Sequence, residues 1–239
     1  MSTNRPEPSV SPLALRLGFW SAVTAFLTFI IYTICFTAIL LSSPVFTWTN
    51  LADYVAYNSA YGGPFRSLAQ FAMVLFGLSL VVLLNSIHEC TRPGQKILTR
   101  ISMGFALLFA VTIGMHYFAQ LSAVRLSFLK GQIEGLEHFL QANPYSILSA
   151  INMLGWTIFL GLTSLFVAPV FSGTRRERLI RLALLLNALF CLSGGVGYVW
   201  EITWLVFVTT TLGMGAAVSV ATAALAFWFR RKGRDPSSA

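Results

Sequence analysis

The chain has 239 residues, of which 56% are hydrophobic and only 10% are charged, and its mean hydropathy is +0.74. Because soluble domains carry about 25% charged residues, this composition excludes a soluble globular protein and predicts an all-α integral membrane protein surrounded by the lipid bilayer. The net charge of +8 is the surplus expected where Lys and Arg collect in cytoplasmic loops, so we expect no nucleic-acid partner.

Six apolar segments follow one another, each long enough for a helix to cross a bilayer. The predicted spans, numbered 1 to 6 in chain order, cover about 19–41, 67–85, 101–121, 146–171, 179–200 and 203–229. They form one membrane domain at 17–230, a six-transmembrane-helix bundle between cytoplasmic tails at 1–16 and 231–239. Span 1 is too long for the apolar core of a signal peptide, so we predict that it is retained.

Two connections between the spans carry structural signals of their own. Thr47–Gly63 is rich in aromatic residues and weakly charged, which is typical of a segment at the membrane–water interface. In Gly131–Ala142, apolar residues recur at helical spacing opposite two glutamates. We therefore predict a short amphipathic helix on the outer surface between spans 3 and 4, ending at Asn143-Pro144 because proline cannot continue a helix.

The distribution of positive charge predicts the orientation of the bundle. If both termini are cytoplasmic, thirteen of the 16 Lys and Arg residues lie inside, and only Arg66, Arg125 and Lys130 lie outside. Positively charged residues resist translocation, so this asymmetry indicates that the N-terminus and the C-terminus are both inside. We expect the protein in the plasma (cytoplasmic) membrane.

Polar side chains inside the spans indicate which face of each helix looks inward, because leaving them in lipid is costly. At about 100° per residue, the polar residues of spans 1, 3, 4 and 5 each fall on one face, mostly toward the outer ends of the helices. We predict that these faces converge on a polar pocket in the outer half of the bundle, with the amphipathic helix over its mouth. The candidate ligand-binding residues are Tyr32, His116, Gln120, Asn152, Tyr198 and Glu201.

The leading hypothesis is that this pocket binds, senses or passes a small or amphipathic molecule. Histidine is rare at membrane depth and titrates near neutral pH, so an intramembrane enzyme using His116 is an alternative. We expect Tyr32, Asn152 or Tyr198 to lie close to His116. The same polar residues could instead serve as hydrogen-bond links between helices, and Glu201 could be a solvated carboxylate in the turn.

Small residues recur every four positions along span 6, at Thr209, Gly213, Ala217 and Ala221. Such a stripe forms a groove in which another helix backbone can approach closely. We expect it to pack the hairpin of spans 5 and 6. A homodimer seam, or a role as a structural or assembly subunit that packs through this groove, is the alternative.

The sequence lacks the motifs of cofactor chemistry. His88 and Cys90 fall on the cytoplasmic side, whereas His116 and His138 fall toward the outside, so these four residues cannot share one metal ion. His116 has no second histidine at its depth for a b-type haem, and no GxxxxGK[ST] motif occurs for nucleotide phosphates. We therefore expect no metal and no cofactor, and no catalytic residue is selected.

The stretch His116–Phe171 combines a Tyr-Phe-x-Gln run, a downstream Asn-Pro pair and a glycine-rich span. The residues that carry these features are Tyr117, Phe118, Gln120, Asn143, Pro144 and Gly155. In them the chain resembles a group of uncharacterised bacterial multi-pass membrane proteins. The resemblance covers about a quarter of the chain; it implies the multi-pass fold and carries no function.

Overall fold

The computed structural model describes residues 11–234; the predictions for the outermost parts of both tails, at 1–10 and 235–239, lie outside the described residues. Residues 11–234 contain helices and connecting loops and no strand. The helices are α1 (Pro12–Ser42), α2 (Leu51–Tyr61), α3 (Pro64–Glu89), α4 (Pro93–Lys130), α5 (Ile147–Val170), α6 (Arg175–Val199) and α7 (Thr203–Lys232). All of them except α2 are long and apolar enough to cross a membrane, by length and composition.

The boundaries of the long helices follow from local sequence signals. Pro12 and Pro64 occupy the first turns of α1 and α3, where a missing N–H costs nothing. At the start of α6, Thr174 and Glu177 form a reciprocal capping box, which satisfies backbone N–H groups that have no partner within the helix. The six predicted spans are therefore confirmed as six helices, with α4 extending nine residues beyond its predicted end.

The six long helices pack in a closed ring, in which each one contacts its neighbours in the chain and α7 returns to α1. Aromatic side chains fill the centre of this ring. Phe76 from α3, Phe109 from α4 and Trp156 from α5 pack against one another, with ring centroids 5.1 to 6.0 Å apart. Because each of the three rings comes from a different helix, their packing fixes the relative positions of α3, α4 and α5.

The alternating helix directions give the bundle two different ends. We call the end with the loops at 43–63, 131–146 and 200–202 the aromatic end, and the end with the loops at 90–92 and 171–174 the basic end. The basic end also holds the first residues of α1 and the last residues of α7.

Helices α1 and α7 are close together at the basic end and separate toward the aromatic end. Gly18 of α1 lies directly against the ring of Phe229 of α7, which is 1% exposed. The Met214–Lys232 part of α7 packs along α1, whereas the Phe207–Gly213 part packs against α6. A cleft therefore opens between α1 and α7 in the half of the bundle nearer the aromatic end.

Three of the long helices contain a π-helical segment in that same half. The segments are Gln120–Val124 in α4, Leu154–Phe159 in α5 and Phe207–Gly213 in α7. A π-helical turn is wider than an α-helical turn and rotates the side chains that follow it, and such turns are frequent at functional sites. All three segments contribute residues to the cavities described below.

The amphipathic helix predicted for Gly131–Ala142 is wrong. The segment is a loop with a single 3-10 turn at Leu136–His138. Gly131 and Gly135 have φ angles of 68° and 76°, which are left-handed and interrupt a right-handed helix. The apolar residues of the segment are nevertheless inside the protein, since Leu136 is 8% exposed and Leu140 is 0% exposed.

The aromatic segment predicted to lie at the interface forms the helix α2. Asn50 caps its first turn, because the Asn50 side chain accepts a hydrogen bond from the N–H of Asp53 at 2.9 Å. Tyr54 of α2 packs in a second, smaller hydrophobic core with Val124, Leu136 and Leu140. This core holds α2, the end of α4 and the 131–146 loop together as a cap on the aromatic end.

Candidate functional site

The cleft between α1 and α7 is the candidate site, and its volume is about 450 Å³. Ligand pockets in proteins span about 300–1,000 Å³, so the cleft is large enough for a small molecule or part of a lipid. Tyr32 and Phe36 of α1 form one wall, and residues of α7 that include Thr210, Leu212 and Gly215 form the other. The floor comes from α4 and α5, through Tyr117 and Trp156.

The floor of the cleft carries hydrogen-bonding groups on a rigid aromatic base. Trp156 Nε1 donates a hydrogen bond to the hydroxyl oxygen of Tyr117 at 3.3 Å, and the Asn152 side chain interacts with the same hydroxyl. Asn152 Oδ1 is buried and has no hydrogen-bond partner among residues 11–234. The floor therefore offers a hydrogen-bond acceptor to a polar group that enters the cleft.

The rim of the cleft lies on the exposed side of the bundle, between α1 and α7. Thr33 of α1 and Thr211, Leu212 and Ala216 of α7 line the cleft and are exposed. At the rim the Tyr32 ring also stacks on Phe36, with ring centroids 6.1 Å apart. The cleft therefore combines a largely apolar rim with a polar floor, and a molecule that fits both surfaces is amphipathic.

Three glutamines fix the 131–146 loop beside the cleft. Gln70 Nε2 of α3 donates to Gln141 Oε1 of the loop at 2.9 Å. Gln120 of α4 bonds the loop twice, because its Oε1 accepts from the Gln141 N–H at 3.3 Å and its Nε2 donates to the Phe139 carbonyl. The loop therefore takes a defined position, with the Gln141 side chain lining the cleft.

The cleft is the first of three cavities that share walls. A second cavity of about 270 Å³ shares Tyr32, Tyr117 and Gln141 with it. A third, of about 590 Å³, shares Gln70 and Gln120 with the second. The shared residues connect the cavities in a row that leads from the side of the bundle between α1 and α7 to the surface of the aromatic end.

Arg66 lies where the second and third cavities meet. Its guanidinium donates to the Tyr54 hydroxyl and to Asn58 Oδ1, both at 2.8 Å, and both partners are neutral. Burial raises the pKa of Tyr54 above its ordinary value, and the nearby Arg66 lowers it, so the phenol stays protonated near neutral pH. Within residues 11–234 Arg66 forms no ion pair, so the row of cavities contains a positive charge without a carboxylate partner.

His116 is fully buried but does not line any of these three cavities. Its Nδ1 bonds the carbonyl oxygen of Leu148 in α5 at 2.9 Å, which places the proton on Nδ1 because a carbonyl only accepts. The Gln141 side chain lies beside the ring, and His116 Nε2 has no hydrogen-bond partner in the part of the chain that the structure describes.

Among residues 11–234, none of Tyr32, Asn152 and Tyr198 is a hydrogen-bond or ring-contact partner of His116, and their expected closeness to it stays a prediction. The ring contact is instead with Tyr117, edge to face at 4.8 Å between centroids. The hydrogen-bond acceptor for Nδ1 is a backbone carbonyl in the first turn of α5, where the sequence led us to expect a side chain.

The six candidate residues therefore separate into two groups. Tyr32 and Asn152 line the cleft, and Gln120 lines the two cavities next to it. Tyr198 instead donates its hydroxyl to the carbonyl of Pro144 at 2.9 Å, and Glu201 is exposed in the turn between α6 and α7 with a φ of 56°. The hydrogen bonds of His116 and Tyr198 join these side chains to the backbone of other segments, and Glu201 lines none of the three cavities.

Several residues of the cavities were missed by the sequence reasoning. Arg66 was considered only as a topological charge, although its position at the start of a span was a usable signal. Gln70 lies in the same turns, and the sequence analysis does not single it out. Gln141 lies in the segment predicted as an amphipathic helix, which does not form, so the sequence carries no signal that it lines the cleft.

The small-residue stripe of α7 packs inside the chain. A Cβ atom at Gly213 would lie 2.6 Å from the ring of Phe190 in α6, and Ala217 and Ala221 are 7% and 3% exposed. These contacts account for close packing of α6 and α7. A dimer through the stripe stays a prediction, and it would require these side chains to leave their places in the core.

No group of three or more His, Cys, Asp or Glu residues within 11–234 is arranged to hold a metal ion. Comparison of the chain with protein-family models, curated proteins and solved structures finds no match. The resemblance of the His116–Phe171 stretch to bacterial multi-pass proteins therefore stays a prediction, and the geometry of the cavities is the basis for a function.

Proposed function

We propose that this chain is a multi-pass membrane protein that binds an amphipathic molecule in the cleft between α1 and α7. One observation carries the proposal: the cleft places hydrogen-bonding groups on its floor, at Asn152, Tyr117 and Trp156, inside a largely apolar rim on the exposed side of the bundle. An amphipathic molecule entering sideways from the bilayer would keep its apolar part against the rim and bring its polar part to the floor.

The proposed orientation puts the aromatic end outside and both termini in the cytoplasm of a plasma-membrane protein. The excess of Lys and Arg at the basic end supports it, since positive residues are retained on the cytoplasmic side. In this orientation the cleft opens toward the outer leaflet. The Trp and Tyr residues of 43–63 would then lie at the outer membrane–water interface, where these residue types are enriched.

The row of cavities supports passage or sensing of the molecule as well as binding. A polar group that leaves the floor of the cleft would meet Gln141, then Gln70 and Gln120, and then Arg66. The unpaired charge of Arg66 favours a ligand whose polar group is anionic, such as a fatty acid, because a charge-assisted hydrogen bond is roughly twice as strong as a neutral one.

The test is photo-crosslinking of the protein in phosphatidylcholine vesicles with a long-chain fatty acid that carries a diazirine. We expect the labelled peptides to come from α1 around Tyr32 and from α7 around Leu212. Asn152→Leu removes the side-chain amide from the floor, and with it an N–H group that can donate to the carboxylate. The change should lower this labelling on the order of tenfold, since an unsatisfied polar group costs about 1–3 kcal/mol.

Asn85→Leu is the matched control, because it makes the same change at an exposed asparagine of α3 outside the cavities. Asn85→Leu should label like the original chain, and both variants should unfold at similar temperatures. Labelling spread evenly over all lipid-facing residues, or equal labelling of the two variants, would contradict the proposal.

A further inference from the structure

A separate cavity lies at the basic end, between the start of α6 and the end of α7. Its volume is about 1160 Å³. Five positively charged side chains from the two helices line it: Arg175, Arg176, Arg178, Arg231 and Lys232. None of the three cavities described above is lined by as many positively charged side chains.

The acidic residue in the wall of this cavity is already engaged. Glu177 Oε2 accepts hydrogen bonds from the N–H groups of Gly173 and Thr174 at 3.0 and 2.8 Å, and its Oε1 accepts one from Trp228 Nε1 at 3.1 Å. The carboxylate therefore caps α6 and joins it to α7. Within residues 11–234, none of the arginines of this cavity forms an ion pair.

Below the charged side chains the wall becomes apolar. Leu179 and Leu182 line the cavity and are 48% and 55% exposed, and Leu182 lies about 10 Å along α6 from Arg175, at 1.5 Å per residue. Trp228 closes the other side, with Lys232 Nζ 4.8 Å above its ring. The wall thus changes from cationic to apolar over the depth at which a phospholipid changes from phosphate to acyl chain.

We propose that this cavity binds an anionic phospholipid through its phosphate, with the arginines holding the headgroup and Leu179 and Leu182 contacting the acyl chains. Basic pockets between transmembrane helices bind anionic headgroups in this way, and a guanidinium matches a phosphate with two parallel hydrogen bonds. The site is separate from the α1–α7 cleft, at the opposite end of the bundle, and does not depend on the ligand proposed there.

The experiment is native mass spectrometry of the detergent-purified full chain, titrated with phosphatidylglycerol or phosphatidylcholine of identical acyl chains. Both lipids contain a phosphate, but phosphatidylcholine also carries a cation that arginines repel. We expect phosphatidylglycerol to bind on the order of tenfold more tightly, because each basic residue near an anionic surface contributes several-fold to binding. No preference between the two lipids would overturn the proposal.

The variant that removes three of the pocket charges is Arg176→Gln, Arg178→Gln, Arg231→Gln. Its matched control is Arg92→Gln, Lys96→Gln, Arg100→Gln, which removes the same charge from the same end of the bundle outside the cavity. The pocket variant should lose the preference for phosphatidylglycerol and the control should keep it. If both variants lost the preference for phosphatidylglycerol equally, the lipid would be attracted by the overall positive charge of this end, and the proposed site would be overturned.

Two further measurements keep the test decisive. Should the triple variant fail to fold, the single exposed change Arg231→Gln should still weaken phosphatidylglycerol binding by about fivefold; an unchanged affinity would count against the proposal. Glycerol phosphate, the soluble headgroup without acyl chains, should not bind at the concentrations at which the lipid does. Equally tight binding of glycerol phosphate would assign the cavity to a soluble phosphate compound and overturn the lipid.

Discussion

The Nδ1 atom of His116 in α4 bonds the backbone carbonyl of Leu148 in the first turn of α5, at 2.9 Å. The bond joins two neighbouring helices at a point that is fully buried. It satisfies one polar atom of an imidazole that would otherwise lose its hydrogen bonds to water, at a cost of several kcal/mol in an apolar surrounding. In this arrangement His116 connects two helices, and it does not touch the cleft.

A first prediction follows for His116. His116→Leu removes the donor to the Leu148 carbonyl and should lower the free energy of unfolding by about 1–3 kcal/mol, whereas His116→Asn keeps a short donor and should lose less. Fatty-acid labelling of the cleft should be similar in both variants. Thermal unfolding in detergent measures the first effect. If His116→Leu left the stability unchanged, or lowered the labelling without lowering the stability, the structural role of His116 would be contradicted.

A second prediction concerns access to the cleft. A Cβ atom at Gly215 would meet only Phe29, at 3.7 Å, so Gly215→Leu should fit the fold and fill part of the cleft. We expect labelling by the diazirine fatty acid to fall on the order of tenfold, since the pocket volume is lost. Gly104→Leu is the control, because a Cβ atom there has no neighbour within 4 Å. Equal labelling of both variants would show that the molecule binds elsewhere.

A third prediction concerns the contact between α1 and α7. Gly18→Ala places a methyl group against the buried ring of Phe229, and overpacking of this kind costs about 1–3 kcal/mol. Gly114→Ala adds the same methyl group where nothing lies within 4 Å, and it should stabilise by about 0.5–1 kcal/mol because helical glycine is unfavourable. The two variants should therefore shift the unfolding temperature in opposite directions; a shift in the same direction would argue against the close contact.

A fourth prediction concerns the loop that borders the cleft. Gln120→Leu removes the acceptor of the Gln141 N–H and the donor to the Phe139 carbonyl. Local opening of the 136–146 segment should become easier, and its amides should exchange with deuterium about tenfold faster. Gln132→Leu, at an exposed position of the same loop, serves as the comparison and should leave exchange unchanged. Equal protection in both variants would show that the glutamine does not hold the loop.

A fifth prediction tests the proposed orientation. Arg176→Cys should react with an impermeant maleimide only after the membrane is opened, and Glu137→Cys should react in intact cells. Both positions are partly exposed, and the natural Cys35 and Cys191 are buried; Cys90 is replaced by serine in the background. Reaction of Arg176→Cys in intact cells would reverse the orientation and with it the leaflet toward which the cleft opens.

The sequence predicts the long helices well because each apolar block is longer than any turn or strand requires. It does not predict the break in Gly131–Ala142, since helical spacing of Leu136 and Leu140 is compatible with a loop that buries the same residues. The left-handed backbone at Gly131 and Gly135 decides the outcome. Glycine permits that conformation without requiring it, so the pattern alone could not select it.

The candidate site is predicted in part. Tyr32 and Asn152 line the cleft, as the helical faces predict. A face calculated at 100° per residue gives only the side of the helix on which a side chain lies. The same calculation cannot assign a backbone acceptor such as the Leu148 carbonyl, which is why His116 was placed in the pocket.

The contact of Gly18 with Phe229 holds α7 at one end only. This contact fixes one end of the helix against α1, and Leu212 lies at the free side of the cleft about 26 Å away, at 1.5 Å per residue. A tilt of about 5° around the fixed end would move Leu212 by roughly 2 Å while leaving the arginine-lined cavity nearly unchanged. The width of the cleft mouth is therefore sensitive to small changes in the tilt of α7. The fixed point of this tilt is the contact at Gly18.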